Sequence, residues 1–428
     1  VARRAWSLAF LVAALGGADA ASGQVSRACS PVLVGSGAAG QGLMVRIAPG
    51  VFHQFISGRG ERVRIRCEGQ STTVEADSLA WYQDLNRLDF EGRVEFRDTS
   101  ALLESNSARY FPLAERLEAY GDVRLEDEST RSVLTGPNLT YYRAVPGLRD
   151  VTELFATQRP TVEYRPVGAA VDDPYLIRGE RVRLKGGALA WAGGGVTIDR
   201  ENFAAKSDSA ELDFEQGHGL LIRRAEAIGT EAPRYEIRGD RLAFRIEEGE
   251  LNWVQAQQAA QALSTEWVAL GDTIEFAIAR NRIQAGLVWG DSTRATARSA
   301  RQVVVADSLA IDTPEQVLTE IRGFGTSRAT TRQEGRPDDA ADWIEGDTLV
   351  AQFGDVGDGR RGLVMVRATW VAKALYHIYA DVMGDQPAIN YSRGRRITAY
   401  FKGDVLDRVD IVEIADGVYL EPVAKRPP

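Results

Sequence analysis

The aspartates Asp77, Asp122, Asp208, Asp240, Asp272, Asp307 and Asp347 recur at comparable places along this chain, several inside short phrases such as "ADS", "SDS" and "GDT". Repeated carboxylates can ligate calcium, or pair as acid and nucleophile to cleave a glycosidic bond. Calcium-binding β repeats use a dense Gly/Asp nonapeptide, and none is present. Recurrence at one place per unit points instead to turn chemistry, in which Asp bonds nearby backbone. The three histidines, His53, His218 and His377, each stand alone, far from any zinc-ligand spacing. No G-x-S-x-G elbow, P-loop or dinucleotide fingerprint occurs. "GSGAAGQG" (Gly35 to Gly42) is rich in glycine, but no helix pattern follows it, so it reads as a flexible stretch of the mature N-terminus. No catalytic residue, cofactor or metal is expected.

The large apolar residues offer a different chemistry. Leu79, Trp81, Leu88, Phe90, Val94, Phe96, Leu117, Val123, Leu125, Trp191, Phe214, Phe244, Phe276, Phe353 and Phe401 fall on the expected inner face of alternating segments, and Trp253 and Trp289 join them. Such residues fill a core, or they line a trough for a guest. Each buried CH₂ contributes roughly 0.8 kcal/mol, so a long acyl chain gains on the order of 10 kcal/mol in an open trough.

The elements that position these residues are strands. In "RLEAYGDVRLED", Leu117, Ala119, Gly121, Val123 and Leu125 alternate with Glu118, Tyr120, Asp122, Arg124 and Glu126, a period of two. Openings of a polar pair followed by alternation recur at Ala76, Asn106, Gly136, Gly179, Ser207, Gly239, Gly271, Ala306, Gly346 and Gly394, and each reads as a strand start. A second alternating segment follows each of them. Glycines in "EGR", "YGD", "GGG" and "RGF" mark bulges or bends within these segments. Asn252 to Trp267 has helix-friendly composition, yet it occupies a strand position in its unit and is read as strand.

About ten strand–turn–strand units without a helical layer predict an all-β fold, an extended jellyroll or solenoid-like stack of two facing sheets. If each unit adds one strand to each sheet, the stack is roughly 50 Å long at ~4.8 Å per strand. Its terminal strands present open edges.

Arg3 and Arg4, the apolar run "AWSLAFLVAALGGA" and the small residues near 18–22 predict an export signal over 1–22. Residues 23–60 form an N-terminal segment, 61–422 the repeats, with a candidate division into 61–230 and 231–422, and 423–428 a tail. No other apolar run is long enough to span a membrane. The formal charge of −9 argues against a nucleic-acid partner. Cys29 and Cys67 are a candidate disulfide of an exported chain. Lipid modification of Cys29 is the alternative, though the preceding "VSRA" lacks the apolar-then-small pattern.

"ADSLAWYQDLNRLDFEGRVEFRD" and "NSARYFPLAERLEAYGDVRLED" resemble the organic solvent tolerance (OstA-like) repeat of lipopolysaccharide-transport proteins. "INYSRGRRITAYFKGDVLDRVDIVEIADGVYLEP" (Ile389 to Pro422) is similar too, with Gly394, Ile397, Phe401, Val409 and Tyr419 in matching places. The likeness is strongest over 72–143 and 340–422. It implies a periplasmic β-jellyroll that cradles acyl chains and joins similar modules edge to edge between the two membranes.

The expectation is therefore an exported, non-enzymatic lipid-binding and transport protein, with lipopolysaccharide or another long-chain amphipathic lipid as cargo. Its partners are other envelope β-jellyrolls, paired through edge strands. The alternatives are a structural or adhesive β-solenoid of the envelope without lipid cargo, and a polysaccharide-active enzyme on a β-helix scaffold.

Overall fold

Alternation carried over ten or more residues builds long strands, and the computed structural model consists of little else. It describes residues 29–34, 41–99, 101–165, 173–332, 341–357, 360–378, 387–403, 405–413 and 416–421. These hold thirty strands and two three-residue 3-10 turns, with no α-helix among the described residues. The fold is all-β, as the alternation predicts. The export signal over 1–22, the glycine-rich residues 35–40 and the tail over 423–428 lie outside the described residues.

The chain runs as an antiparallel meander in which each leg pairs with the next. Arg87–Arg97 pairs with Ala101–Phe111, that with Arg116–Asp127, and that with Val133–Tyr142. Each leg bends near its middle, so its two halves lie in two different sheets. The sheets face one another across an apolar interior. Phe96, in one sheet, meets Tyr141, in the other, with ring centroids 5.3 Å apart. Some legs break into two strands at the bend, as in Thr73–Ala76 with Ser78–Tyr82, and Gln302–Ala306 with Ser308–Asp312.

The bends explain the recurring polar phrases, and they correct their placement. Ser105-Asn106-Ser107 and Ser207-Asp208-Ser209 lie inside the strands Ala101–Phe111 and Phe203–Asp213, where the register slips. They are corners of the fold and not strand starts. The first serine of each bends the backbone by donating to the carbonyl two residues on, at 3.1 Å for Ser105 and 2.9 Å for Ser207. The facing leg turns through two consecutive left-handed residues, such as Gly92-Arg93, Gly121-Asp122 and Arg223-Arg224. Gly92 is suited to this, because its φ of +77° strains any residue with a Cβ, and a Cβ there would also meet the Asp77 carboxylate. Gly346 serves a different need: its φ is ordinary, but a Cβ would stand 2.8 Å from the Thr369 carbonyl of the next leg.

The repeated aspartates tie neighbouring corners together. Asp77 accepts from Arg93 Nε at 2.9 Å, Asp208 from Arg224 Nε at 2.9 Å, and Asp122 from the Asn106 amide at 2.9 Å. Asp272 accepts from the Ser292 backbone N–H and hydroxyl and the Thr293 N–H, and these bonds hold its carboxyl down to about 2. A carboxyl held below its unfolded value of 3.8 contributes stability that is present above that value and lost as pH falls through the lower one. Thermal melts of the wild type and Asp272→Asn should therefore converge on acidification between about pH 4 and pH 2, and stay separate at neutral pH.

Because every leg serves both sheets, about twenty strands stack in each, and the assembly extends for roughly 100 Å, twice the length expected from one strand per unit. The meander also begins earlier than residue 61. Gln41–Ala48 pairs with Val51–Ser57, Val51–Ser57 with Ser78–Tyr82, and Pro31–Val34 with Val63–Cys67. Pairing continues through residue 230, where Gly229 opposes Tyr235. Glu250–Ser264 is a strand, in agreement with its place in the repeat and against its composition. One apolar cluster runs from Cys29 to Ala399.

Cys29 and Cys67 form a disulfide that closes the first strand onto the stack. The bond anchors only this end, so its loss has a local consequence. In Cys29→Ser, the amides of Val32, Leu33 and Val34 should lose hydrogen-exchange protection while those of the strand Val133–Tyr142 keep theirs.

The edge opposite the corners is closed by polar ties between the two sheets. Tyr141 donates to Asp98 at 3.0 Å, Tyr175 to the Gly249 carbonyl at 3.2 Å, and the Asn281 amide to the Asn202 carbonyl at 2.9 Å. Glu115 makes the most elaborate of these. Its fully buried carboxylate accepts from Tyr110 at 2.7 Å, from Arg143 Nε at 3.0 Å and from the Cys29 backbone N–H at 2.5 Å. Burial and this carboxylate push the Tyr110 phenol well above its ordinary value, so it remains a donor.

Candidate functional site: an apolar chamber between the sheets

For most of its length the interior is full. Leu79, Leu88, Phe90, Val94, Phe96, Leu117, Val123 and Phe276 are buried inner-face residues packed against one another, and Trp81, Phe353 and Phe401 pack partly buried against the same cluster. They line neither chamber described below.

Trp191, Trp253 and Trp289 correct the inner-face reading. They stand on the outer face, with the inner positions taken by Ala190 and Ala192, Val254, and Val288. In these strands both parities carry apolar residues, so alternation alone leaves the facing open. The smaller residues go in, and the indoles of Trp191 and Trp253 have guanidinium groups over them. Arg183 lies 5.2 Å from the ring centre of Trp191, and Arg245 lies 5.5 Å from that of Trp253.

The interior opens between residues 125 and 250. A chamber of about 670 Å³ is lined by Tyr164, Tyr175, Ile177, Ile198, Phe203, Leu212, Phe214, Phe244 and Ile246. Beside it, a second of about 360 Å³ is lined by Leu125, Leu134, Tyr141, Leu154, Val162 and Leu184. Tyr164 and Phe214 belong to both walls. Their rings stack across the two sheets at 3.8 Å and 17°, and so partition one chamber from the other.

The local sequence accounts for the opening. One sheet is shallow here, because Thr161–Tyr164 and Tyr175–Arg178 are four-residue strands. The opposite sheet runs on to Asp213 and Glu247, and its turns at 213–218 and 247–249 form the rim of the larger chamber. Packing is otherwise close. Gly219 lies directly under the Phe244 ring of the next strand, where a Cβ would come within 2.0 Å of the ring. Volumes of this size match those of small-molecule pockets with mainly apolar walls.

Of the inner-face residues read from the sequence, the structure brings Leu125, Phe214 and Phe244 to these chambers. Tyr164, Tyr175, Ile177 and Ile198 join them without being among the inner-face residues that alternation marks. The signal was available in "TVEY" and "YLIR", short alternating runs with tyrosine where other units carry Phe or Leu.

Among the described residues no group of three or more His, Cys, Asp or Glu side chains is placed to hold a metal. His53 pairs with Asp84 at 2.7 Å and His377 with Asp342 at 3.0 Å, while His218 stands at the chamber rim. No helix among the described residues is long and apolar enough to cross a membrane.

The stack ends in exposed apolar strands. Among the described residues Gln41–Ala48 pairs on one side only, and its Leu43 and Met44 are about three-fifths exposed. At the other end, among the described residues, Val405–Val412 and Asp416–Leu420 pair only with Ala388–Lys402, and Val405, Val418 and Leu420 are exposed.

The fold and site thus define an all-β, corner-folded stack with an apolar chamber between its sheets. No protein-family model matches the chain, and no curated protein matches it in sequence.

Proposed function

We propose that this protein binds and carries a long-chain amphipathic lipid in the periplasm, cradling the acyl portion between its sheets and making no covalent change to it. The observation that carries this reading is the pair of apolar chambers, which lie at the turn edge, where a chain can enter with its head left in solvent. Lipopolysaccharide is the cargo implied by the resemblance of the repeats. The exposed apolar strands at the two ends support a bridging role, in which further β-jellyrolls of the envelope continue the sheets by edge pairing.

The test is to purify the exported protein from envelopes without added detergent and analyse extracted lipid by mass spectrometry. One lipid class should be enriched in stoichiometric amount, and its absence from every preparation would remove the support for a carrier.

The filled interior on either side of the chambers favours a second reading, a structural β-solenoid of the envelope without cargo. That reading expects no bound lipid and an envelope phenotype that survives blocking of the chambers.

A further inference from the structure

We infer that the chambers select their lipid by head-group charge and take an amphiphile with a neutral or cationic head in preference to an anionic one. The inference rests on the lipid-binding reading above but turns its cargo away from the anionic, phosphate-bearing lipopolysaccharide that the resemblance implies. Asp213, Glu215, Glu247 and Glu248 lie along the rim of the larger chamber, and Glu126 and Asp127 along that of the smaller. No lysine or arginine lines either chamber among the described residues, and His218 is the sole basic group in their walls.

Guanidinium groups beside the linings already have partners, Arg165 with Glu163 at 3.2 Å among them. Arg131 pairs with Glu126 at 3.2 Å. Arg200 is bound to Asp173, the Tyr175 hydroxyl and the Gly249 carbonyl. A chain that enters past this rim leaves its head among carboxylates. A head of net negative charge there meets like charge, whereas a zwitterionic phosphocholine or a sugar head carries no net charge and a cationic quaternary ammonium head meets attraction. The apolar walls supply chain affinity to all three, and the rim supplies the difference between them.

The experiment is calorimetric titration of the delipidated, intact protein with three amphiphiles of the same chain length, each below its micelle concentration. These are myristoyl lysophosphatidylcholine, myristoyl lysophosphatidylglycerol and tetradecyltrimethylammonium. At low ionic strength the first and third should bind at least about tenfold more tightly than the second, with the gap narrowing sharply in about 0.5 M salt. The double variant Glu215→Lys with Glu248→Lys, at exposed turn positions, should retain its circular dichroism and lose or reverse the preference.

Equal affinity for all three, or tightest binding of the anionic lipid, would overturn charge selection while leaving the lipid cradle in place. Binding of none of them would overturn the lipid-binding reading itself, and the selection with it.

Discussion

Replacing Glu115 with alanine lowers the unfolding free energy by about 3–5 kcal/mol, read from the urea midpoint at unchanged slope. The carboxylate is fully buried and accepts from Tyr110, Arg143 and the Cys29 N–H together. Its removal leaves a largely buried guanidinium without its counter-charge and a buried phenol without its acceptor. Glu115→Gln keeps the shape and an acceptor oxygen but not the charge, and should cost less than alanine. The Glu115→Ala/Arg143→Ala pair should recover part of the loss, because no unpaired charge then remains buried. A loss below about 0.5 kcal/mol for the single alanine variant would mean that this tie does not hold the edge closed.

Filling the larger chamber has its effect on binding and not on folding. Ile198 projects into the chamber, so Ile198→Trp adds volume where about 670 Å³ is open. Ile237 projects into the filled interior of the same sheet and is fully buried. The same substitution there overpacks the core and should cost about 1–3 kcal/mol or more. Ile198→Trp should unfold at nearly the wild-type midpoint and lose at least about 100-fold in lipid affinity, equivalent to roughly 2.7 kcal/mol. Opening the partition works in the opposite direction. In Phe214→Ala the stack with Tyr164 is gone, at a cost of about 0.5–1.5 kcal/mol beyond lost burial, and the joined chambers accept a longer chain.

The architecture is legible in the sequence to the extent that alternation is one-sided. Leu117, Ala119, Val123 and Leu125 alternate with polar or charged neighbours, so their strand and its facing follow from period two, and the structure buries all four. The strand identity of Glu250–Ser264 follows from its place in the repeat, although its glutamines and alanines favour helix. Trp191 is not legible in this way, because Ala190 and Ala192 beside it are apolar too. The choice between them is made by packing between the sheets, which period two does not encode.

The corners are hidden for a related reason. "SNS" and "SDS" have the composition of a turn between strands, and only pairing with the neighbouring leg shows that the strand continues past them in another sheet. The chambers are a further step removed. They depend on the short strands that end at Tyr164 and begin at Tyr175, and a difference in strand length between two facing sheets has no periodic signature.

The most direct test of the central claim, that the space between the sheets holds an acyl chain, is native mass spectrometry of the delipidated protein with myristoyl lysophosphatidylcholine, comparing wild type with Ile198→Trp. The expected result is a one-to-one adduct on the wild type that is absent from the equally folded variant. No adduct on the wild type, or an undiminished adduct on Ile198→Trp, would contradict it.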